Sequence, residues 1–226
     1  MATRDYPGAG PFVPGHAAGL KAVAAAAADC QGCDLFKRAF QVVFGTGNPH
    51  AQIMLVGEQP GDAEDKHGEP FVGPAGRILE RALCDAEISG EDTYVTNAVK
   101  HFRWRAAPNG GRRRVHERPD TWQIRACAPW LMAEIERVDP RVLVTLGATA
   151  GQALFGGSFR VNAQRGQAVA WTPGGADGKS AGDTALLVVP TIHPSAVLRA
   201  RDERDSVYQG LVRDLGVVRR CAGDKQ

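Results

Sequence analysis

Arg103–Arg118 holds six arginines, one acid and a glycine pair, and sets a lone histidine, His116, directly after Arg112-Arg113-Arg114-Val115. Guanidinium groups at that density cannot bury a core. They favour a polyanion, whose phosphates they hold by charge-assisted hydrogen bonds. A histidine in such a segment is presented at the bound backbone rather than packed inside, where it either only binds or also reacts. A second group is Cys30-Gln-Gly-Cys33, whose short glycine-containing loop aims two thiolates at one point. Redox chemistry of the thioredoxin kind would place such a motif at a helix start after a strand. Here it comes after an alanine-rich helix, which favours a metal or cluster.

A third group lies just beyond the apolar runs. Ile53-Met54-Leu55-Val56 leads into Gly57-Glu58-Gln59-Pro60-Gly61-Asp62, Tyr94-Val95-Thr96 into Asn97, and Leu186-Leu187-Val188-Val189-Pro190 into Thr191-Ile192-His193-Pro194-Ser195. Each has a bland reading as a tight turn, a cap or a satisfied histidine. Their convergence has a stronger one, because open α/β sheets bind ligands outside the carboxyl ends of their strands.

Helices and strands must position these groups. A helix is expected over Ala17–Asp29, a second over Ala75–Ala86, a third from Pro119 to about Val138, a short one after Gly147 and a terminal one over Asp202–Arg219. Buried strands are expected over Ile53–Val56, Tyr94–Thr96, Val142–Leu146 and Leu186–Val189, with Gln167–Thr172 a further candidate. Continuous apolar strands alternating with helices imply an α/β/α sandwich around a central, mostly parallel four-stranded sheet. Residues 1–16, rich in Gly and Pro, are expected to form a flexible N-terminal arm, and 17–220 a single domain.

The 226 residues are 43% hydrophobic and 23% charged, enough apolar material for a real core. The net charge is only +2, so basicity is local, which points to a defined anionic ligand. The alanine-rich run Ala22–Ala28 reads as helix rather than a signal peptide, and nothing is long enough to span a membrane. The expectation is a cytoplasmic monomer. Five cysteines, an odd number, argue against a disulfide framework there.

With Glu64-Asp65 and Gly68-Glu69-Pro70-Phe71-Val72-Gly73-Pro74-Ala75-Gly76 added, the Gly57–Gly61 segment resembles the first motif of the uracil-DNA glycosylase superfamily, nearest to its iron–sulfur family 4 enzymes. Thr96-Asn97-Ala98-Val99-Lys100 and His193-Pro194-Ser195 match the later motifs in order, and the resemblance covers about Cys30 to Leu215. Gln59, where family 4 usually has alanine, and the inserted Arg112–His116 resemble instead the X-type branch, whose basic loop carries a histidine that bonds covalently to DNA.

The resemblance implies a [4Fe–4S] cluster held by Cys30, Cys33, Cys127 and, in place of the family's fourth cysteine, His101. Cys84 is the rival ligand, expected as a buried structural thiol, and Cys221 is incidental. It further implies that Phe71 stacks on a flipped uracil, that Asn97 reads its edge, that His193 donates to O2, and that Gly57 and Gln59 line the pocket. Glu58 or Asp62 would position water in an ordinary glycosylase. In the X-type reading His116 replaces water, and Glu58 orients its ring. Arg112, Arg113 and Arg114 would hold phosphates, with Ser195 and Arg199 at the DNA and Arg199 wedged into the vacated stack. The implied partners are uracil-containing DNA, single strands preferred, and free uracil as product. A hydrolytic family 4 enzyme with turnover and a non-enzymatic metal-containing DNA binder stay open as alternatives.

Overall fold

A computed structural model of the chain describes residues 5–108, 113–172 and 185–223. Along the chain come α1 (Leu20–Ala27), β1 (Thr46–Gly47), β2 (Ile53–Gly57), α2 (Asp62–His67), α3 (Pro74–Asp85), β3 (Thr93–Asn97), β4 (Trp104–Ala106) and β5 (Arg114–His116). Next come α4 (Thr121–Val138), β6 (Val142–Leu146), α5 (Ala148–Phe155), α6 (Val161–Gln164), β7 (Val169–Trp171), β8 (Leu186–Thr191), α7 (Ser195–Arg199) and α8 (Arg204–Ala222).

Among the described residues the central sheet runs β1-β3-β2-β6-β8-β7. Its four inner strands are parallel, as expected; β1 and β7 pair antiparallel at the two edges, making six strands rather than four. β1 is two residues long, too short to leave a periodic pattern. β8 continues past the expected stop at Pro190, because β7 pairs only as far as Val188 and the proline's missing N–H disrupts no β7 pairing.

Side-chain alternation on the inner strands feeds both faces. Ile53 and Leu55 enter one core with Leu79, Leu83, Leu211 and Leu215 of α3 and α8, while Met54 and Val56 enter the other with Leu131 and Ile135 of α4. A third cluster joins α1 and α4 around Cys30, Cys33, Cys127 and Trp130. α4 starts at the Asp120 cap, where Gln123 Oε1 accepts the Asp120 N–H at 2.9 Å.

Within the expected arm, Ala9 N–H donates to Ala126 O at 2.7 Å, and Tyr6 stacks on Trp122. The basic segment, expected as a loop, is a hairpin of β4 and β5 with Trp104 opposite His116. Its tip, with Gly110, Gly111 and Arg112, lies outside the described residues. No helix among the described residues is long and apolar enough to cross a membrane.

Candidate active site

The strand order sets β3, β2, β6 and β8 side by side, so the residues after their carboxyl ends share one rim. Gly57 pairs with Asn97 across the β2–β3 register. A Cβ on Gly57 would lie 2.3 Å from Asn97 Oδ1 and 2.7 Å from the Phe71 ring, so only glycine lets the amide and the ring close together there. Phe71 has φ of 58°, a left-handed conformation rare for a bulky residue. It is held there by the close approach of Gly76, whose Cβ position would overlap the Phe71 carbonyl. The Phe71 and His193 rings stack with centroids 6.0 Å apart.

Asn97 is buried, and its carboxamide makes no hydrogen bond with another described residue. Its backbone is fixed from behind: Lys100 Nζ donates to Asn97 O at 2.7 Å and to Thr96 Oγ1 at 2.7 Å, and pairs with the fully buried Glu134 carboxylate. Glu134 also accepts from Tyr94 Oη, Thr96 Oγ1 and Gly45 N–H, which satisfies this desolvated pair.

The proton on His193 can be placed. Ser195 N–H donates to Nδ1 at 3.1 Å, so Nδ1 is the acceptor and Nε2 carries the hydrogen. Arg199 Nη1 donates to Ser195 Oγ at 2.9 Å, which frees the Ser195 hydroxyl hydrogen for the same Nδ1 at 2.7 Å. Burial, with Arg199 and His116 as nearby charges, pushes the His193 pKa down to about 4. The ring is therefore a neutral Nε2–H donor at physiological pH.

Strand alternation decides which side chains the hairpin presents. Arg114 and His116 leave β5 on the same side, and Val115 on the other. Arg114 turns inward, against the expectation that it binds phosphate. Its guanidinium pairs with Asp62 and Asp65, each at 2.5 Å, and lies over the Phe40 ring at 4.2 Å. Asp62, expected as an alternative water-positioning carboxylate, is consumed by the same contacts. Although burial opposes it, hydrogen bonds from Lys66 and Arg114 hold its pKa below the usual value.

Gln59 also departs from its expected place at the uracil. Its Nε2 donates to the carbonyls of Arg103 and Glu117, both at 3.1 Å, and its Oε1 accepts the Arg103 N–H at 2.9 Å. The whole amide is spent on both legs of the hairpin. With hairpin and register fixed, His116 Nε2 faces Glu58 Oε1 at 3.4 Å, and 49% of the His116 side chain remains exposed. Arg113, just before β5, is exposed.

Two further residues reach this site without having been singled out in the sequence. Thr149, at the start of α5, donates its hydroxyl hydrogen to Glu58 Oε2. Arg118 Nε donates to Thr149 Oγ1 at 3.0 Å. The signal was the third apolar run: β6 also ends on the rim, and the chain continues from it directly into Gly147-Ala148-Thr149.

The sulfur-bearing residues divide by layer. Cys30, Cys33 and Cys127 are buried in one cluster, where burial raises the Cys33 thiol to about 11 and the Cys127 thiol to about 12. Thiols so placed stay protonated unless a cation neutralises them. Trp130 Nε1–H donates to Cys30 Sγ at 3.1 Å and Lys100 N–H to Cys127 Sγ at 3.3 Å, the kind of contact that tunes iron–sulfur thiolates. His101, next to Lys100, is buried and held neutral with its pKa near 4 by that burial. Cys84 is exposed on α3, across the sheet from these residues, which removes it both as a buried thiol and as a rival ligand. No group of three or more His, Cys, Asp or Glu among the described residues closes on a single metal ion. Three buried thiols and a buried neutral imidazole have the donor chemistry of an iron–sulfur ligand set.

Residues 44–216 match the family described as the uracil DNA glycosylase superfamily. The chain is 37% identical over 173 residues to the type-4 uracil-DNA glycosylase of Thermotoga maritima, covering 76% of this chain and 79% of that one. It is 36% identical over 177 residues to the type-4 enzyme of Saccharolobus solfataricus (75% and 72% covered). A type-5 uracil-DNA glycosylase from Thermus thermophilus is 34% identical over 126 residues, about half of each chain.

Proposed function

The chain belongs to the uracil DNA glycosylase superfamily, and we propose that it excises uracil from DNA and then stays attached through a bond from His116 to C1′ of the abasic sugar. One observation carries the second half of this reading: a half-exposed imidazole, fixed on a hairpin, faces the Glu58 carboxylate on the same rim as Asn97, Phe71 and His193.

A flipped uracil stacks on Phe71. The Asn97 amide donates to O4 and accepts from N3–H; cytosine presents the reverse pattern and is refused. Negative charge develops on O2 as the glycosidic bond stretches, and the neutral His193 Nε2–H donates to it. The C1′–N1 bond breaks with its electron pair left on uracil, which takes a proton from solvent. A lone pair of the His116 ring forms the bond to C1′, and the ring gives its N–H proton to Glu58. Arg113 and Arg199 hold flanking phosphates, as does Arg112.

Cys30, Cys33 and Cys127, buried in one layer, would hold a [4Fe–4S] cluster with His101 as the fourth ligand. Such a cluster would supply a cross-link between the N-terminal segment, α4 and the segment after Asn97; every chemical step above belongs to side chains.

The test uses the purified protein and a uracil-containing single strand, read by denaturing electrophoresis and by free uracil. A heat-stable shifted band that disappears in His116→Ala supports the reading. Repeated turnover without a band leaves a hydrolytic enzyme of the type-4 kind, and no free uracil leaves a DNA binder.

A further inference from the structure

We propose that Thr149 and Arg118 are positioning residues that aim Glu58 at His116. The inference rests on the covalent reading above.

The direction of each hydrogen bond in the chain is fixed by its donor. A guanidinium has only N–H groups and cannot accept. Arg118 Nε, 3.0 Å from Thr149 Oγ1, must therefore donate to it, and the one hydrogen of the Thr149 hydroxyl is left for Glu58 Oε2. Thr149 is almost fully buried, so water does not compete for that oxygen. With Oε2 held, the plane of the carboxylate is fixed, and its other oxygen, Oε1, is the one that faces His116 Nε2. A free glutamate would sample several rotamers and present either oxygen; this one presents one.

The donor that starts the chain is itself held in place. Arg118 lies two residues beyond His116, and its other arm, Nη2, reaches Gln152 Oε1 at 2.5 Å on α5.

The experiment measures, for each variant, the fraction of excised uracils that end as adduct rather than as hydrolysed abasic sites. That ratio is read per excised base, so partly inactive protein does not move it. Thr149→Val keeps the side-chain shape and removes the hydroxyl. It should lower the adduct fraction at least about tenfold, the scale on which partners that orient a reacting group act, and should displace the pH profile of adduct formation. Thr149→Ser should restore both to within about twofold, and Arg118→Met should repeat the Thr149→Val loss. Should Thr149→Val fold poorly, Arg118→Met against Thr149→Ser gives the same contrast. A wild-type adduct fraction and pH profile in Thr149→Val or Arg118→Met would overturn the proposal. Absence of adduct from the wild type would overturn the covalent reading itself, a separate result.

Discussion

Arg114 and His116 occupy alternate positions of one three-residue strand, so the side chain that anchors the hairpin and the side chain that faces Glu58 leave it in the same direction. Pinning Arg114 between Asp62 and Asp65 thus sets the register on which His116 depends. A slip of one residue would turn His116 to the opposite face.

The two neighbouring arginines should therefore behave differently. Arg113→Ala should reduce the slope of log affinity for DNA against log salt by about 0.7–0.9, one phosphate contact. Arg114→Ala should leave that slope unchanged and instead destabilise the fold by about 3–5 kcal/mol, because it strands the fully buried Asp65 carboxylate without its cation. Salt titration of DNA binding and urea melts of both variants check this.

Gly57→Ala should lower uracil excision by roughly 100-fold or more. The added methyl would collide with Asn97 Oδ1 and the Phe71 ring, the two groups that grip the base, and misplacement of that kind costs about this much. Single-turnover excision rates give the value, and unchanged affinity for abasic DNA would localise the defect to the base pocket.

Acid should unfold the protein partly through His193. Its folded pKa of about 4 lies below the ordinary histidine value of 6.5, so the native state binds fewer protons between those limits. The stabilisation is fully present above about pH 6.5 and is lost as pH falls toward 4. Between pH 7 and pH 5, wild-type stability should fall by roughly 1–2 kcal/mol more than that of His193→Gln, in which nothing titrates at this position. Urea melts at the two pH values measure the difference.

Iron content should track burial rather than cysteine count. Cys127→Ser should lose the iron–sulfur absorbance and most bound iron, with a lowered Tm, because its sulfur lies in the cluster shared with Cys30 and Cys33. Cys84→Ser, altered on the exposed side of α3, should retain all three properties.

The inner sheet was legible because its strands are continuous apolar runs: Val142–Leu146 has the same limits in the fold as in the sequence. The rim was legible for a related reason, since strand ends can be counted along the chain. The hairpin was not. Trp104–Ala106 and Arg114–His116 are three-residue strands, too short for their alternation to stand out, and their charge pattern suggests a loop. Which groups turn inward was hidden too. Gln59 is spent on backbone atoms of Arg103 and Glu117, and Arg114 on Asp62 and Asp65, partners far away along the chain. Composition records that an arginine is present; only the pleat of β5 decides that Arg114 goes in and Arg113 stays out.

The most direct test of the covalent claim is to digest the protein–DNA product with trypsin and nuclease and sequence the modified peptide by tandem mass spectrometry. Because trypsin does not cut the Arg118–Pro119 bond, cleavage after Arg114 and Arg125 yields the peptide Val115–Arg125, which carries His116 as its second residue. If His116 is the nucleophile, this peptide carries the mass of one abasic nucleotide, with every fragment ion placing it on His116. Finding the peptide unmodified, or the added mass on any other residue, would contradict it.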